Sequence, residues 1–249
     1  KKLVNFIEWF SIYNMVPIGL VLKMVIGSVD KFVKKNDHSI KLRKTKSQKY
    51  ILSKEQESAL KFLEKTKNKF EVSVLQGTTG SGKTLVYFER IKKIIKEKKQ
   101  ALVLLPEIFL TNDFKLRFED FFGFEPSIWH SKITPKQKRI IWKGIIGNKI
   151  KILIGARSAL LLPFKKLGII IVDEEHDTSY KQDDRVIYNA RDMAISRAKF
   201  EKIPIHLITS IPSIETYNNI ENRKYRHTKI LKRFDNYPLP KTKIVNLNL

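Results

Sequence analysis

The sequence predicts an α/β protein, a doubly wound and mostly parallel sheet with a small helical piece at its N-terminus. From residue 50 onward, short apolar runs alternate with longer stretches of helical period, as expected for a parallel sheet covered by helices on both faces. Each apolar run ends at a polar, motif-like segment. Before residue 30, apolar positions recur at helical spacing instead.

Five apolar runs are the predicted strands of this sheet. They are residues 72–75 (VSVL), 101–105 (ALVLL), 150–154 (IKILI), 169–172 (IIIV) and 205–208 (IHLI). Ligands of open α/β sheets bind beyond the carboxyl ends of the strands. The polar segments after these runs are therefore expected to lie together along one edge.

The first 29 residues carry a predicted pair of short helices separated by Pro17, with Phe6 and Phe10 at helical spacing before it. Polar residues interrupt this stretch, so no run approaches the roughly 18 to 20 apolar residues that a membrane-spanning helix requires. Residues 30–49 are polar and basic, which predicts a linker, with a DNA-facing arm as the alternative.

Lysine and arginine number 49 against 25 aspartate and glutamate residues, a formal net charge of +24. Such a surplus is typical of proteins that bind polyphosphate and favours nucleic acid as a partner. A nucleotide bias of the coding genome is the alternative cause of its size, since lysine far outnumbers arginine. The absence of cysteine from the sequence excludes disulfides and Cys-ligated zinc and fits a reducing cytosol.

Residues 77–84 read GTTGSGKT and match a phosphate-binding pattern between a strand and a helix. Backbone N–H groups of such a loop converge on the phosphates, Lys83 reaches the outer ones, and Thr84 offers a hydroxyl to magnesium. The predicted nucleotide-binding residues are Gly77, Thr78, Thr79, Gly80, Ser81, Gly82, Lys83 and Thr84.

The segment VDEEH, residues 172–176, follows the fourth predicted strand and supplies the acidic groups that the loop lacks. Asp173 is expected to hold magnesium, directly or through water, and Glu174 to orient and deprotonate the attacking water. An acidic cluster alone is more often a solvated loop, so its pairing with loop 77–84 is what favours catalysis.

Five segments, in this order, resemble the motifs of the primosomal replication-restart DNA helicases, the PriA family. They are LQGTTGSGKT, LVLLPEIFLT, GARSALLLPF, IIIVDEEHDTSYKQ and IPSIETY. The resemblance implies that residues 1–29 end an N-terminal, winged-helix-like DNA-binding region, that 30–49 are a basic linker, and that 50–249 form the first, RecA-like ATP-binding lobe.

The activity that this resemblance implies is that of an ATP-driven 3′ to 5′ DNA helicase, which reloads the replication machinery at stalled forks. Its implied cofactors are ATP and Mg²⁺, with no zinc in this segment. Its implied partners are single-stranded and forked DNA, together with primosome proteins and single-strand-binding protein. The implied location is a bacterial cytoplasm, without a membrane.

The resemblance also assigns roles to single residues. Gln56 would read the adenine, and His176 would join Lys83, Asp173 and Glu174 as a catalytic residue that couples hydrolysis to DNA. A motor should grip phosphates and stack on splayed bases. The implied nucleic-acid contacts are Thr111, Arg157, Ser158, Tyr180, Lys181, Tyr188 and Arg191. For Tyr188 and Arg191 the alternative is packing between helix and loop.

Two departures qualify what the resemblance implies. Ile211 stands at a hydroxyl position of the fifth motif and cannot donate the hydrogen bond expected there. Nothing after residue 213 resembles the family's second lobe, whose arginine stabilises the transferred phosphate, and Lys1 does not resemble an intact start. We therefore expect a fragment that binds ATP weakly and DNA moderately and hydrolyses little ATP.

Two other classes of function stay open at this point. A non-catalytic DNA-binding or assembly module derived from a helicase lobe would explain the charge, but the intact Lys83, Thr84, Asp173 and Glu174 argue against it. A loop-containing kinase acting on a small molecule gives no reason for the PEI, ARSA and DEEH segments to occur together.

Overall fold

The computed structural model describes residues 1–26, 47–48, 50–66 and 69–233. The predicted linker, residues 30–49, lies outside the described residues apart from 47 and 48. Within the described ranges the chain forms a seven-stranded sheet, a separate two-stranded hairpin, and helices on both faces of the sheet. The predicted α/β class is confirmed.

The strands are β1 (Glu71–Gly77), β2 (Gln100–Leu104), β3 (Ser127–Trp129), β4 (Ile152–Gly155), β5 (Leu167–Asp173), β6 (Lys181–Gln182), β7 (Tyr188–Asn189), β8 (Pro204–Thr209) and β9 (Arg226–Ile230). The main sheet has the order β3-β4-β2-β5-β8-β1-β9, and its strands pair in parallel throughout. The other two strands, β6 and β7, form the antiparallel hairpin.

Apolar side chains alternate between two cores on opposite faces of the sheet. In β5, Ile170 and Val172 belong to one core, and Ile169 and Ile171 belong to the other. Strand side chains alternate with a period of two, so a strand buried on both faces reads as an unbroken apolar run. All five predicted strands are confirmed. The edge strands β3 and β9 are not among them, because β3 is very short and β9 is largely polar.

The helices are α1 (Lys2–Tyr13), α2 (Ile18–Ile26), α3 (Lys54–Glu64), α4 (Lys83–Lys96), α5 (Asn112–Phe122), α6 (Pro135–Ile146), α7 (Ala190–Glu201) and α8 (Ile214–Glu221). The helices α3, α4 and α5 cover one face of the sheet, and α1, α6 and α7 contribute to the core on the other. A capping box of Ser53 and Gln56 begins α3.

The predicted N-terminal helix pair is confirmed as α1 and α2. Phe6 and Phe10 of α1 are fully buried against the α7 side of the sheet, and the Phe10 ring centroid lies 5.2 Å from that of Tyr188. The helical N-terminal piece therefore shares a core with the sheet. Within the described ranges, no helix combines the length and the apolar character needed to cross a bilayer.

Candidate nucleotide-binding site

The carboxyl ends of the parallel strands meet along one edge of the sheet, which we call the rim. Loop 77–84 follows β1, and the segments PEIFLT, GARSA, DEEH and TSIPS follow β2, β4, β5 and β8. Because neighbouring strands run parallel, all five segments lie at the rim, as predicted.

Loop 77–84 curls tightly before it enters α4. Gly82 adopts the left-handed backbone conformation, with φ 78°, and precedes the first residue of the helix. A side chain there would also collide with the Gln56 amide. Both the conformation and the close approach require glycine at this position.

The amine of Lys83 is turned back onto its own loop. Its Nζ donates hydrogen bonds to the carbonyl oxygens of Gly77 at 2.7 Å and Thr78 at 3.3 Å. Burial lowers the pKa of Lys83, and the negative charges of Glu174 and Asp173 oppose that shift. The lysine thus holds the curl of the loop and faces the acidic residues.

Asp173 ends β5 with a buried carboxylate. Its Oδ2 accepts a hydrogen bond from the Tyr87 hydroxyl at 2.8 Å, and its Oδ1 accepts one from the Glu174 N–H at 3.0 Å. Burial raises the pKa of Asp173 to about 6, even though the hydrogen bond from Tyr87 lowers it. Tyr87 was missed by sequence reasoning, although its position one turn after Lys83 on α4 is a signal for proximity.

The backbone of Asp173 is fixed by Tyr180. The Tyr180 hydroxyl donates to the carbonyl oxygen of Asp173 at 2.5 Å and lies 3.0 Å from that of Leu104. This one side chain, 1% exposed, therefore ties the end of β5 to the end of β2.

Glu174 and His176 lie in the turn that follows Asp173. Glu174 adopts a left-handed conformation with φ 48°, which is uncommon for a residue with a side chain. His176 Nδ1 lies 2.7 Å from the Thr209 hydroxyl and 3.7 Å from a carboxylate oxygen of Glu174. Thr209 therefore provides the hydroxyl contact between the DEEH segment and the fifth motif, while the Ile211 side chain is exposed.

One cavity of about 370 Å³ brings the loop and the carboxylates together. Lys83 and Thr84 line it alongside Asp173 and Glu174, which is the arrangement that the sequence predicts. Its remaining wall includes three side chains that sequence reasoning did not single out, namely Tyr50, Arg117 and Phe121. Arg117 and Phe121 lie one turn apart on α5 and Tyr50 lies before α3, all distant in sequence from loop 77–84 and the DEEH segment, so neither motif could have pointed to them.

Gln56 contacts the loop rather than open space. The side chain is 1% exposed. Its Nε2 donates to the Ser81 carbonyl at 3.0 Å, and its Oε1 accepts from the Ser53 N–H at 2.9 Å. Both ends of the amide are thus engaged with the protein, in positions that brace the loop against α3.

Four of the predicted nucleic-acid contacts lie at the rim. Thr111 is exposed and caps α5 by accepting the Phe114 N–H at 3.2 Å. Arg157 donates to the Lys181 carbonyl at 2.5 Å, so the ARSA segment contacts the hairpin β6–β7. The Ser158 hydroxyl accepts a hydrogen bond from the indole of Trp129 at 3.1 Å.

The other three predicted contacts are buried. Tyr180 fixes Asp173 as described, Tyr188 packs edge-on against Phe10, and Arg191 pairs with Glu175. These positions do not support stacking on bases or contact with a DNA backbone. Packing, the alternative for Tyr188 and Arg191, accounts for both.

Comparison with protein families finds that residues 53–217 match the DEAD/DEAH box helicase family. The matched segment begins at the capping residue of α3 and ends within α8, so it contains loop 77–84, the DEEH segment and the fifth motif.

Curated relatives carry one shared description, replication restart protein PriA. The protein of Rickettsia felis is 42% identical over 99% of this chain, and that of Bacillus subtilis is 35% identical over 79% of it. These alignments cover 38% and 25% of the two relatives, so the chain spans well under half of their length. The resemblance inferred from the motifs is confirmed.

Solved structures support the fold. The UvsW helicase of bacteriophage T4 matches with a TM-score of 0.51 at 15% identity, over 77% of this chain and 64% of that one. The Hef helicase domain of Pyrococcus furiosus matches with a TM-score of 0.51 at 15% identity, over 70% of this chain and 37% of that one. The predicted RecA-like class is thereby confirmed.

Proposed function

The chain belongs to the DEAD/DEAH box helicase family, and on that premise we propose that it is the ATP-binding lobe of a DNA helicase of replication restart, moving 3′ to 5′ on DNA. The observation that carries the proposal is the single cavity lined by Lys83, Asp173 and Glu174. Exposed residues of the backbone-gripping segments lie at the same rim, so nucleotide and nucleic acid would bind to neighbouring loops.

Lys83 is the residue that receives the outer phosphates of ATP. Its amine donates to the carbonyls of Gly77 and Thr78, which are weaker partners than a phosphate. A bound triphosphate would raise the pKa of Lys83 and so oppose the effect of burial, because a nearby negative charge favours the ammonium form.

Mg²⁺ fits the donor set formed by Asp173 and Thr84. Both offer oxygen ligands, which this hard cation prefers, and the two residues line the same cavity. Burial raises the pKa of Asp173 to about 6 against the lowering effect of Lys83, and a bound cation would favour the charged carboxylate further. When bound, the metal would neutralise charge on the phosphate oxygens.

Glu174 would orient and deprotonate the attacking water, since its side chain lines the cavity directly after the metal-binding residue. His176 would link this step to the DNA-facing loops through its contact with Thr209. The Ile211 side chain need not take part, because the Thr209 hydroxyl contacts His176 and donates to the Ile211 carbonyl oxygen at 2.7 Å.

Thr111, Arg157, Ser158 and Lys181 would meet the phosphate backbone of single-stranded DNA, which leaves the motor indifferent to base sequence. In the same proposal, forked DNA, primosome proteins and single-strand-binding protein are the partners, and the cytoplasm is the location. The helices α1 and α2 would be the end of a DNA-binding region that precedes the motor lobe.

The test is nucleotide affinity, measured with and without single-stranded DNA. We expect Lys83→Ala to weaken binding of Mg-ATP by at least about tenfold, because a charge-assisted hydrogen bond contributes about 1.5 to 3 kcal/mol. Lys96→Ala is the matched control, an exposed lysine in the last turn of the same helix.

Three results would contradict the proposed function. Wild-type nucleotide affinity in Lys83→Ala would show that loop 77–84 does not bind the nucleotide. A wild-type protein whose nucleotide affinity is the same with and without DNA would favour a small-molecule kinase. A wild-type protein that binds DNA but does not bind nucleotide would favour a non-catalytic module.

A further inference from the structure

Several carbonyl oxygens of loop 77–84 accept hydrogen bonds from side chains. Lys83 and Gln56 bond three of these oxygens, as described above. A fourth, the carbonyl oxygen of Thr79, accepts a hydrogen bond from Arg233 Nε at 3.0 Å. Arg233 follows the last strand of the sheet and belongs to none of the motifs of the site.

The segment that carries Arg233 is fixed beside the loop. Strand β9 pairs in parallel with β1 as far as the first residue of the loop. Beyond β9, the N–H groups of Leu231 and Lys232 both donate to one carboxylate oxygen of Glu55, at 3.0 and 3.1 Å. Glu55 lies in the first turn of α3. The backbone next to Arg233 is therefore held between the sheet and a helix, which directs this side chain to the loop.

The bond from Arg233 sets the direction of one backbone N–H group of the loop. The Thr79 carbonyl and the Gly80 N–H belong to the same peptide unit, and in a planar trans peptide the two groups point in opposite directions. Thr79 and Gly80 line the nucleotide cavity, whereas Arg233 contacts the loop from outside it. With the carbonyl held on the outer side, the Gly80 N–H is directed to the side of the cavity.

The backbone conformation of the loop gives this direction its importance. Gly80 and Gly82 are both left-handed, with φ of 82° and 78°. A turn that combines left-handed and right-handed residues gathers successive N–H groups into a concavity that binds anions. Glycine is flexible at such positions, so a peptide that precedes or follows it can rotate unless a bond holds it. The bond from Arg233 supplies that restraint for the peptide between Thr79 and Gly80.

We propose that Arg233 is a positioning residue of the nucleotide site, which holds the Thr79 carbonyl and thereby orients the Gly80 N–H towards the phosphates of the nucleotide. The inference rests on the proposed function of the cavity. The Arg233 side chain acts through the loop and does not touch the nucleotide. Its effect is therefore exerted on the phosphates and does not require the base.

The experiment compares Arg233→Met with Lys232→Met in the 249-residue chain. Each variant removes one positive charge, and the two positions are adjacent. Lys232 is exposed and contacts Glu55 through its backbone N–H, which the substitution keeps. The quantities measured are the dissociation constants of Mg-ATP and of inorganic tripolyphosphate with Mg²⁺, a probe that has the phosphates but no base.

We expect Arg233→Met to weaken the binding of both ligands by about fivefold, the effect of losing one ordinary hydrogen bond. Lys232→Met should keep both constants within about twofold of wild type. Arg233→Lys should also stay within about twofold, because an ammonium group can still donate to the Thr79 carbonyl. A role in folding alone would lower the thermal unfolding temperature and leave both constants unaltered, so thermal unfolding is followed in parallel.

Wild-type constants in Arg233→Met overturn the inference, and so does an equal loss in Lys232→Met, which would mean that net charge alone attracts the phosphates. A loss in Arg233→Lys as large as that in Arg233→Met overturns it as well. If Arg233→Met does not fold, Arg233→Gln carries the test, since its shorter, neutral side chain loses the charged donor. Wild-type constants in that variant would then overturn the inference. A wild-type chain that binds neither Mg-ATP nor tripolyphosphate is a different outcome, because it removes the proposed function itself.

Discussion

The imidazole of His206 lies in the core, in the middle of β8. Burial lowers its pKa from 6.5 to about 3, and the positive charges of Arg90 and Arg226 act in the same direction. The folded protein therefore keeps His206 neutral over a pH range in which the unfolded chain binds a proton there. Unfolding takes up that proton, so acid favours the unfolded state.

We expect the free energy of unfolding to fall as the pH decreases from about 6.5 towards about 3, with a contribution from His206 of up to about 1.4 kcal/mol per pH unit. His206→Asn cannot titrate in this range and should lose that part of the slope. Denaturant unfolding of both proteins between pH 7 and pH 4 measures the difference. Identical slopes would show that His206 binds its proton equally well in the folded and unfolded states, which would contradict the lowered pKa.

The three carboxylates of the DEEH segment have two kinds of surroundings. Asp173 and Glu174 line the cavity, whereas Glu175 lies behind them with its oxygens bonded to other segments. The three are adjacent in sequence and all acidic, so composition cannot separate their roles. The left-handed backbone at Glu174 turns the chain between them and sends Glu175 inward.

Helix α1 is held against the sheet by aromatic contacts with residues that are distant in sequence. Phe6 and Phe10 are fully buried, and their rings meet Phe200 and Tyr188 at centroid distances of 5.9 and 5.2 Å. A helix of this length is marginal in water without such packing. It therefore depends on the sheet domain for its own stability, and contributes to the domain in return.

Phe10→Ala tests this dependence. We expect it to lower the free energy of unfolding by about 3 to 5 kcal/mol, since it leaves a cavity between α1 and Tyr188. Ile12→Ala on the same helix is the control, because Ile12 is 78% exposed and its loss should change stability by less than about 0.5 kcal/mol. Equal unfolding midpoints for the two variants would mean that α1 is not part of the folded unit.

At the scale of the whole molecule, lysine and arginine outnumber aspartate and glutamate by 49 to 25. A formal charge of +24 makes non-specific attraction to polyanions unavoidable, and that attraction weakens with salt. Arg157 and Lys181 lie at the rim, where Arg157 donates a hydrogen bond to the Lys181 carbonyl, and we propose that both contribute to DNA binding.

A salt titration separates DNA binding by the rim residues from the attraction that follows net charge alone. The logarithm of the affinity for single-stranded DNA changes with the logarithm of salt concentration by about −0.7 per phosphate neutralised. We expect the double variant Arg157→Ala, Lys181→Ala to reduce this slope by about 1.4. The control, Lys61→Ala with Lys96→Ala, removes two exposed lysines in the last turns of α3 and α4, away from the rim. An equal reduction in the control would mean that binding follows net charge alone.

The sheet and the position of the candidate site can be predicted from the sequence alone. Strands buried on both faces must be apolar throughout, and parallel pairing brings their carboxyl ends to one edge, so the strand runs and the motifs after them are readable locally. Loop 77–84 is readable for a related reason. Its glycines and its lysine act within one turn of backbone, and Asp173 follows directly from the end of a predicted strand.

Which side chains face the cavity and the rim depends on contacts between separate parts of the chain. Tyr188 and Arg191 resemble DNA-contacting residues in sequence, but Phe10 covers the first and Glu175 pairs with the second. The Gln56 amide is likewise engaged within the protein, because it donates a hydrogen bond to the Ser81 carbonyl of loop 77–84. Each of these partners comes from a distant part of the chain, and spacing along a helix or strand reports the face on which a residue lies, not what will pack against that face.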